Sequence, residues 1–514
     1  MQHVLRWLLC SVVAALMVVP VERALAQNPR TPPHVPGQLL IGFESSADRE
    51  ALLNQLDQTK EGIRANGERP SDVVVERRGE NAVIIKIEYP ANMRERLRGD
   101  PDAELAVLRE IAGQLKASNS KITYAHPNWI RDLSPPGPRT DRPLKTAPQH
   151  PLEPVQAAGA PNDPAFRDGR HWHYQPPPVG MNAINAWQSK VTGSRDVVVA
   201  VLDTGLLFDH PDIKDWGNAL RGKSFISVDL RAGGSIPRQG DATDTGNACP
   251  EKHRPDSWHG SHVAGTIGAV GTDNGIAIAG INWNVTVLPV RVLGPCGGTD
   301  DDIAEAMRWA AGLPVAGVED NKTPAHVINL SLGALGSCDP DGEAAHYVRV
   351  INEVRKKGAV MVVAAGNEAD DVENYVPAGC KGVISVAASD REGKLTSYSN
   401  FGRVSIMAPG GDVDDYIGDD GKPIPNSGLK NGVVSVVKVT ANNRDGIAAY
   451  DGTSMAAPHV TGAIALALAK YPEWRGHPDL IEEKLRQSLA PLPRDACPQP
   501  CGPGLLDVMK LLSQ

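Results

Sequence analysis

The chain has 514 residues, with 52 basic and 61 acidic side chains, a formal net charge of −9 and 41% apolar residues. That length exceeds one ordinary domain and supplies enough apolar residues for a sizeable core, so two folded units are expected. The acidic balance comes without a basic stripe, which argues against nucleic acid as a partner. Aromatics at 4% beside 51 glycines point to tight turns and packed small residues.

Arg6, the apolar run Trp7 to Pro20 and Ala24-Leu25-Ala26 form the three parts of a secretory signal peptide, residues 1–26, cut after Ala26. A membrane anchor is the rival reading, but the run is shorter than the roughly 20 residues that span a bilayer. No later stretch is long enough either, so an exported protein without an anchor is expected. Six cysteines follow Cys10: Cys249, Cys296, Cys338, Cys380, Cys497 and Cys501. An even count in an exported chain points to disulfides and leaves the connectivity open. Cys497-Pro-Gln-Pro-Cys501 closes by proximity, and without a second close pair it is a poor structural zinc pattern.

Residues 27–134 read as a small α+β unit of order βαββαβ. Gly37 to Phe43 is apolar and extended, and Ala47 to Leu56 has helical spacing. Val73-Val74-Val75 and Val83 to Ile87 flank a hairpin turn at Arg77-Arg78-Gly79-Glu80-Asn81. Glu104 to Lys116 places Leu105, Leu108, Ile111, Ala112 and Leu115 on one helical face, and Ile122 to Pro127 closes the unit as a strand. Taken alone, such a unit suits a free-standing binding domain. Residues 135–161 are dense in proline and show neither period, as in an extended linker.

Residues 162–514 carry Asn162-Asp163-Pro164 and His171-Trp172-His173-Tyr174, then the continuous run Val197 to Leu202, the pattern of a strand buried on both faces of a parallel sheet. Asp203 stands at its carboxyl end, where open α/β sheets place their ligands. Further apolar strands are predicted at Val285 to Val292, His326 to Leu330, Val360 to Ala364 and Val383 to Ala387. Between them lies a helix over Thr299 to Ala311, with a capping signal in Thr299 and Asp302. Asp203-Thr204-Gly205 has a second copy, Asp244-Thr245-Gly246. Paired carboxylates sharing a proton need two equivalent strands. The second copy has no strand before it and reads as a polar turn.

His259-Gly260-Ser261-His262-Val263-Ala264-Gly265-Thr266 offers two histidines on one helix face, but lacks the glutamate of HExxH and a third ligand. Ser331-Leu332-Gly333 ends one strand, and Ala364-Ala365-Gly366-Asn367-Glu368 ends another. Asn after Gly is commonly a turn residue. Gly452-Thr453-Ser454-Met455-Ala456-Ala457-Pro458-His459-Val460 runs into the small-residue helix Thr461 to Ala469, with Ser454 at its start. Serine there is most often an N-cap. A cap, however, constrains one residue and not nine.

In these segments, and in their order of Asp, then His, then Ser, the chain resembles the subtilisin-like serine proteases. The resemblance implies a three-layer α/β catalytic domain with a parallel sheet. Its triad would be Asp203, His259 and Ser454, with Asn367 donating to the oxyanion and His262 a buried structural residue. Ser331, Leu332, Gly333, Ala364, Ala365 and Gly366 would bind an extended peptide. The function implied is a secreted endopeptidase acting on proteins through an acyl-enzyme, monomeric and without a catalytic cofactor. The unit at 27–134 becomes a propeptide inhibitor whose maturation cut lies in the linker. By resemblance, Cys249 pairs with Cys296 and Cys338 with Cys380, and structural Ca²⁺ is held by Asp212, Asp273 and Asn274. The polar stretch Asp229 to Ser257, just before His259, departs from the family pattern. The alternatives are an inactive binding protein on the same fold and an aspartic protease.

Overall fold

A computed structural model of the chain describes residues 33–62, 70–78, 81–133, 145–146, 159–231, 235–238, 240–413, 416–417, 423–424, 428–439 and 444–514. The expected signal peptide and most of the proline-rich linker lie outside these residues.

The first unit contains β1 (His34–Phe43), α1 (Ser46–Gly62), β2 (Asp72–Arg78), β3 (Ala82–Glu88), α2 (Ala91–Leu97), α3 (Pro101–Ser118) and β4 (Ile122–Arg131). Its strands are antiparallel in the order β2-β3-β1-β4, the predicted βαββαβ arrangement with α2 added. Helix α3 begins ahead of the predicted Glu104 because the Asp100 side chain caps it, accepting from the Ala103 amide at 2.9 Å, and Pro101 fills the first turn. Leu39, Ile41 and Ile85 pack under Leu108, Ile111 and Leu115. On the opposite face Leu40, Ile84 and Tyr124 meet Ala345 of the second unit. Both faces of β1 are therefore covered, which explains why its sequence lacks the apolar–polar alternation of a one-sided strand.

The second unit follows with β5 (Val198–Asp203), β6 (Lys223–Ser224), α4 (His259–Ile267), β7 (Thr286–Arg291), β8 (Gly298–Thr299), α5 (Asp300–Ala310), β9 (Val327–Leu330), α6 (Ala345–Lys356), β10 (Val360–Ala364), β11 (Ile384–Ser389), β12 (Ile406–Pro409), β13 (Val433–Val439), β14 (Arg444–Tyr450) and α7 (Thr453–Lys470). Seven of its strands form a parallel sheet in the order β12-β11-β10-β9-β5-β7-β6. Alternate residues of each strand feed two cores. Val199, Val201 and Val362 join Val263 of α4 with Val460 and Ile464 of α7. Ala200, Leu202 and Met361 join Ile303 and Met307 of α5 with Tyr347 and Ile351 of α6. This is the expected three-layer α/β architecture. Strand β12 and the β13–β14 hairpin are additions to the sequence reading.

Disulfides join Cys249 to Cys296, Cys338 to Cys380 and Cys497 to Cys501, the pairings expected from resemblance and proximity. Among the described residues no helix is long and apolar enough to cross a membrane.

Candidate active site

Asp203, His259 and Ser454 come from three different elements and Asn367 from the loop after β10, and they meet at the carboxyl end of the parallel sheet. Asp203 ends β5 and is fully buried, its Oδ1 accepting from the Thr204 amide at 2.7 Å. His259 opens α4 and places Nδ1 2.8 Å and 2.9 Å from the two Asp203 oxygens. The next residue must be glycine: a Cβ on Gly260 would lie 2.3 Å from the Gly205 carbonyl oxygen. Only that absence of a side chain lets α4 sit close enough to β5 for the contact to form.

Ser454 is not the cap of α7, since Gly452 holds that place at φ 146° and Ser454 is the second helical residue. Its Oγ donates to the Ser331 carbonyl at 3.2 Å, while Ser331 Oγ donates back to the Ser454 carbonyl at 2.9 Å. Ser454, His259 and Asn367 line one cavity of about 270 Å³, in which the hydroxyl and the imidazole are not yet hydrogen-bonded to one another. Such looseness is common before a substrate closes the site. Asn367 is oriented by its oxygen, which accepts from the Thr453 amide at 2.8 Å and from the Thr453 hydroxyl at 3.0 Å.

All six residues expected to bind substrate backbone, Ser331, Leu332, Gly333, Ala364, Ala365 and Gly366, line a second small cavity that also touches Ser454. Tyr375, Val376 and Ala378 form its far wall. No motif in the sequence marks those three, because they enter from a loop held by the Cys338–Cys380 disulfide and by pairing of Leu335 with Tyr375.

Two histidine and aspartate readings separate cleanly. His262 is buried, directs Nε2 at the Val433 and Ala448 carbonyls, and stacks on Tyr450 with ring centroids 4.5 Å apart. Burial, then the neighbouring His259, push its pKa down to about 3, so it is neutral. Asp244 lies in the expected polar turn but is buried there. It is 4% exposed, accepts from the Thr204 hydroxyl at 2.6 Å and from the Gly246 amide at 2.9 Å, and burial pushes it up to about 6. The polar sequence around it misleads because the residues satisfy one another internally. Thr204 thus stands between the two Asp-Thr-Gly copies, and no hydrogen bond joins the Asp203 and Asp244 carboxylates among the described residues. The departing stretch before His259 is likewise folded onto the scaffold, by Cys249–Cys296 and by Tyr450 donating to the Ser257 carbonyl at 2.8 Å.

Against this geometry, the model of the subtilase family matches residues 194–504, well over half of the chain. The chain belongs to the subtilase family. Among its subtilase relatives, the extracellular basic protease of Dichelobacter nodosus is 40% identical over 324 residues, covering 60% of this chain and 48% of that protein. The chain therefore spans about half the length of that relative. A solved protease of Pseudoalteromonas arctica is 39% identical with a TM-score of 0.59, covering 69% of this chain and 99% of that one. Fervidolysin from Fervidobacterium pennivorans, at 22% identity and TM-score 0.58, covers 94% of this chain and 61% of its own, so the likeness of fold extends over the first unit.

The residues expected to hold a metal divide between buried and exposed positions. Asp212 is 1% exposed and accepts from the Asn274 side chain at 3.0 Å and the Ile278 amide at 3.1 Å. Asn274 and Asp273 are on the surface, and the Asp273 carboxylate accepts from the Asn162 amide at 3.0 Å. Asp163, assigned no metal role from the sequence, is fully buried and accepts from the amides of Asp273 at 2.8 Å and Asn274 at 3.3 Å. Burial raises Asp163 to about 6 and Asp212 to about 7, and neither forms an ion pair among the described residues. Two buried carboxylates converging on one loop without a cation fit a site for a hard divalent ion.

Proposed function

We propose that the chain is a secreted serine endopeptidase that cuts peptide bonds in proteins through an acyl-enzyme on Ser454. The observation that carries this reading is the buried Asp203–His259 contact at 2.8 Å opening into the same cavity as Ser454 and Asn367. A serine hydroxyl is a weak nucleophile until a base takes its proton. His259 would accept the Ser454 proton as Oγ bonds to the substrate carbonyl carbon, and would then give it to the departing amine. Asp203, fixed on Nδ1, keeps the proton on that nitrogen and leaves Nε2 to act as base. The oxyanion formed meanwhile would be met by the Asn367 amide nitrogen, whose oxygen is committed to Thr453. Water repeats the sequence on the ester and frees the enzyme. The carboxylate-pair chemistry of an aspartic protease gains no support, since Asp244 is held by Thr204 and Gly246.

The first unit is read as the propeptide of this enzyme. Asp132 pairs with Gly333, and Leu133 lines the cavity of His259 and Ser454, so its tail lies where a substrate would. Secretion agrees with the apolar N-terminus and with the extracellular relative. Ca²⁺ would be held by Asp163 and Asp212 beside Asn274, pinning the loops together and taking no part in the chemistry.

A serine-directed fluorophosphonate should label Ser454 in the secreted protein, and Ser454→Ala should abolish casein hydrolysis and leave the first unit attached. An unlabelled, correctly folded protein would favour the inactive binding protein instead.

A further inference from the structure

The tail of the first unit runs as an extended chain between two strand edges of the second. Ile130 and Arg131 pair with Thr299 and Gly298, and Asp132 bridges to Gly333. Within that chain the Arg131 side chain enters a closed pocket. Its Nε and Nη2 donate to the two Asp300 oxygens at 2.5 Å and 2.7 Å, and Nη1 donates to the Leu335 carbonyl at 2.9 Å. Tyr347 donates its hydroxyl to Asp300 Oδ1 at 2.8 Å and sets its ring under the guanidinium, 5.9 Å from the centroid. Arg131 and Asp300 are 1% and 0% exposed.

Asp300 differs from its neighbours in what it keeps when the first unit leaves. Asp301 and Asp302 both retain Arg238 of their own unit, at 2.9 Å and 2.6 Å. Asp300 has no arginine or lysine of its own unit in an ion pair among the described residues; only His346 approaches it, at 3.3 Å. Burial pushes its carboxyl up, and the Arg131 guanidinium, with a smaller contribution from His346, more than reverses this and holds it well below the usual carboxylate range. Removal of Arg131 would leave an ionisable group shaped for a planar, forked cation.

We propose that this pocket is an arginine-selecting subsite of the matured enzyme, taking the guanidinium of protein substrates where the uncut chain presents Arg131. Leu133 already borders the Ser454 cavity, so a chain threaded this way presents its scissile bond to the hydroxyl directly after position 133 or one residue beyond it. The selected arginine is then the third or fourth residue ahead of the bond that is cut. Fork-shaped donation to Asp300 and the Leu335 carbonyl explains why arginine is favoured over lysine, which offers a point charge. This inference rests on the serine-protease reading given above.

The test uses enzyme matured from the full chain and quenched fluorescent peptides of one sequence, with Arg, Lys, Leu or Glu placed in turn at the second to fifth positions ahead of a cut mapped by mass spectrometry. Arginine at the third or fourth position should raise kcat/KM over leucine by roughly 30-fold or more, the lower end for a buried hydrogen-bonded charge pair at an interface. Asp300→Asn should bring that ratio toward unity, and Tyr347→Phe should lower it in part. If the Asp300 variant does not mature, the wild-type peptide series is decisive by itself. Efficient cutting with leucine equal to arginine at both positions would overturn the subsite while leaving the protease reading intact. No cutting of any peptide together with no fluorophosphonate labelling would overturn the protease reading itself.

Discussion

Asn367 carries a sharp expectation because its amide has two ends with different work. The oxygen accepts from both Thr453 donors, and on the proposed mechanism the nitrogen is the end that donates to a charge developing beside Ser454. That charge exists in the transition state and not in the bound substrate, so its donor should act on kcat and hardly on KM. Asn367→Ala is expected to lower kcat by about 10²–10³ in steady-state peptide hydrolysis, the usual loss for one such donor. Asn367→Asp should not rescue it, since a carboxylate brings no donor; an unchanged kcat in the alanine variant would remove Asn367 from the chemistry. Residues of this kind are legible in a sequence because each constrains its neighbours. Gly260 has to lack a Cβ for His259 to reach Asp203, and the resulting His-Gly pair is visible without coordinates. Tyr375, Val376 and Ala378 leave no such trace, since their place in the second cavity depends on how a distant loop is pinned. Asp244 is the opposite case, a polar residue whose burial no local pattern reports.

At the level of elements, the sheet is readable where a strand is buried on both faces and therefore runs apolar, as Val198–Asp203 does up to its terminal aspartate and Val360–Ala364 does throughout. Strand Ile406–Pro409 has only four residues and ends in proline, and Arg444–Tyr450 is largely half-exposed, so neither announces itself by period. Loops are less legible still. The metal reading names the buried Asp212 together with the exposed Asp273 and Asn274 but leaves out the buried Asp163, which the chain brings from a separate segment across the loop at residues 272–275. An ion bound there would tie all three segments and stabilise the native state by mass action. Chelation with EGTA is thus expected to lower the thermal midpoint, by about 5 °C if the linked stabilisation is near 1–2 kcal/mol. Asp212→Asn should make the midpoint insensitive to both EGTA and added Ca²⁺ in a fluorescence melt. A wild-type midpoint that ignores EGTA and millimolar Ca²⁺ would sink the assignment.

For the whole molecule, the decisive feature is that two units share one buried interface. The outer face of the first unit's sheet packs on α6, Arg131 enters the Asp300 pocket, and Arg78 donates to Asp301 at 2.6 Å. His126 lies in the same contact, 1% exposed, with Nε2 3.0 Å from His346 Nδ1 and its own Nδ1 2.8 Å from the Pro127 carbonyl. The charged and titratable groups around it are Tyr124 and Arg131 of its own strand, Asp300 of α5, and His346 and Tyr347 of α6. Burial, and after it the adjacent His346, push His126 down to about 3. Free in solution the same side chain would titrate near 6.5. Between those values the free unit binds a proton that the docked unit refuses, so acid favours separation. His126 therefore contributes fully to docking above about pH 6.5, and its contribution fades as the pH falls, by at most about tenfold in affinity per pH unit. Residues 27–134 added in trans to the matured enzyme should show this as a rising Ki ratio, wild type over His126→Gln, as the pH is lowered from 7.5 to about 5. Taking the ratio at each pH cancels the titration of the enzyme's catalytic groups, which both inhibitors meet alike. A ratio that stays flat across that range would mean that His126 is not desolvated by docking, and the interface would have to be held in some other way.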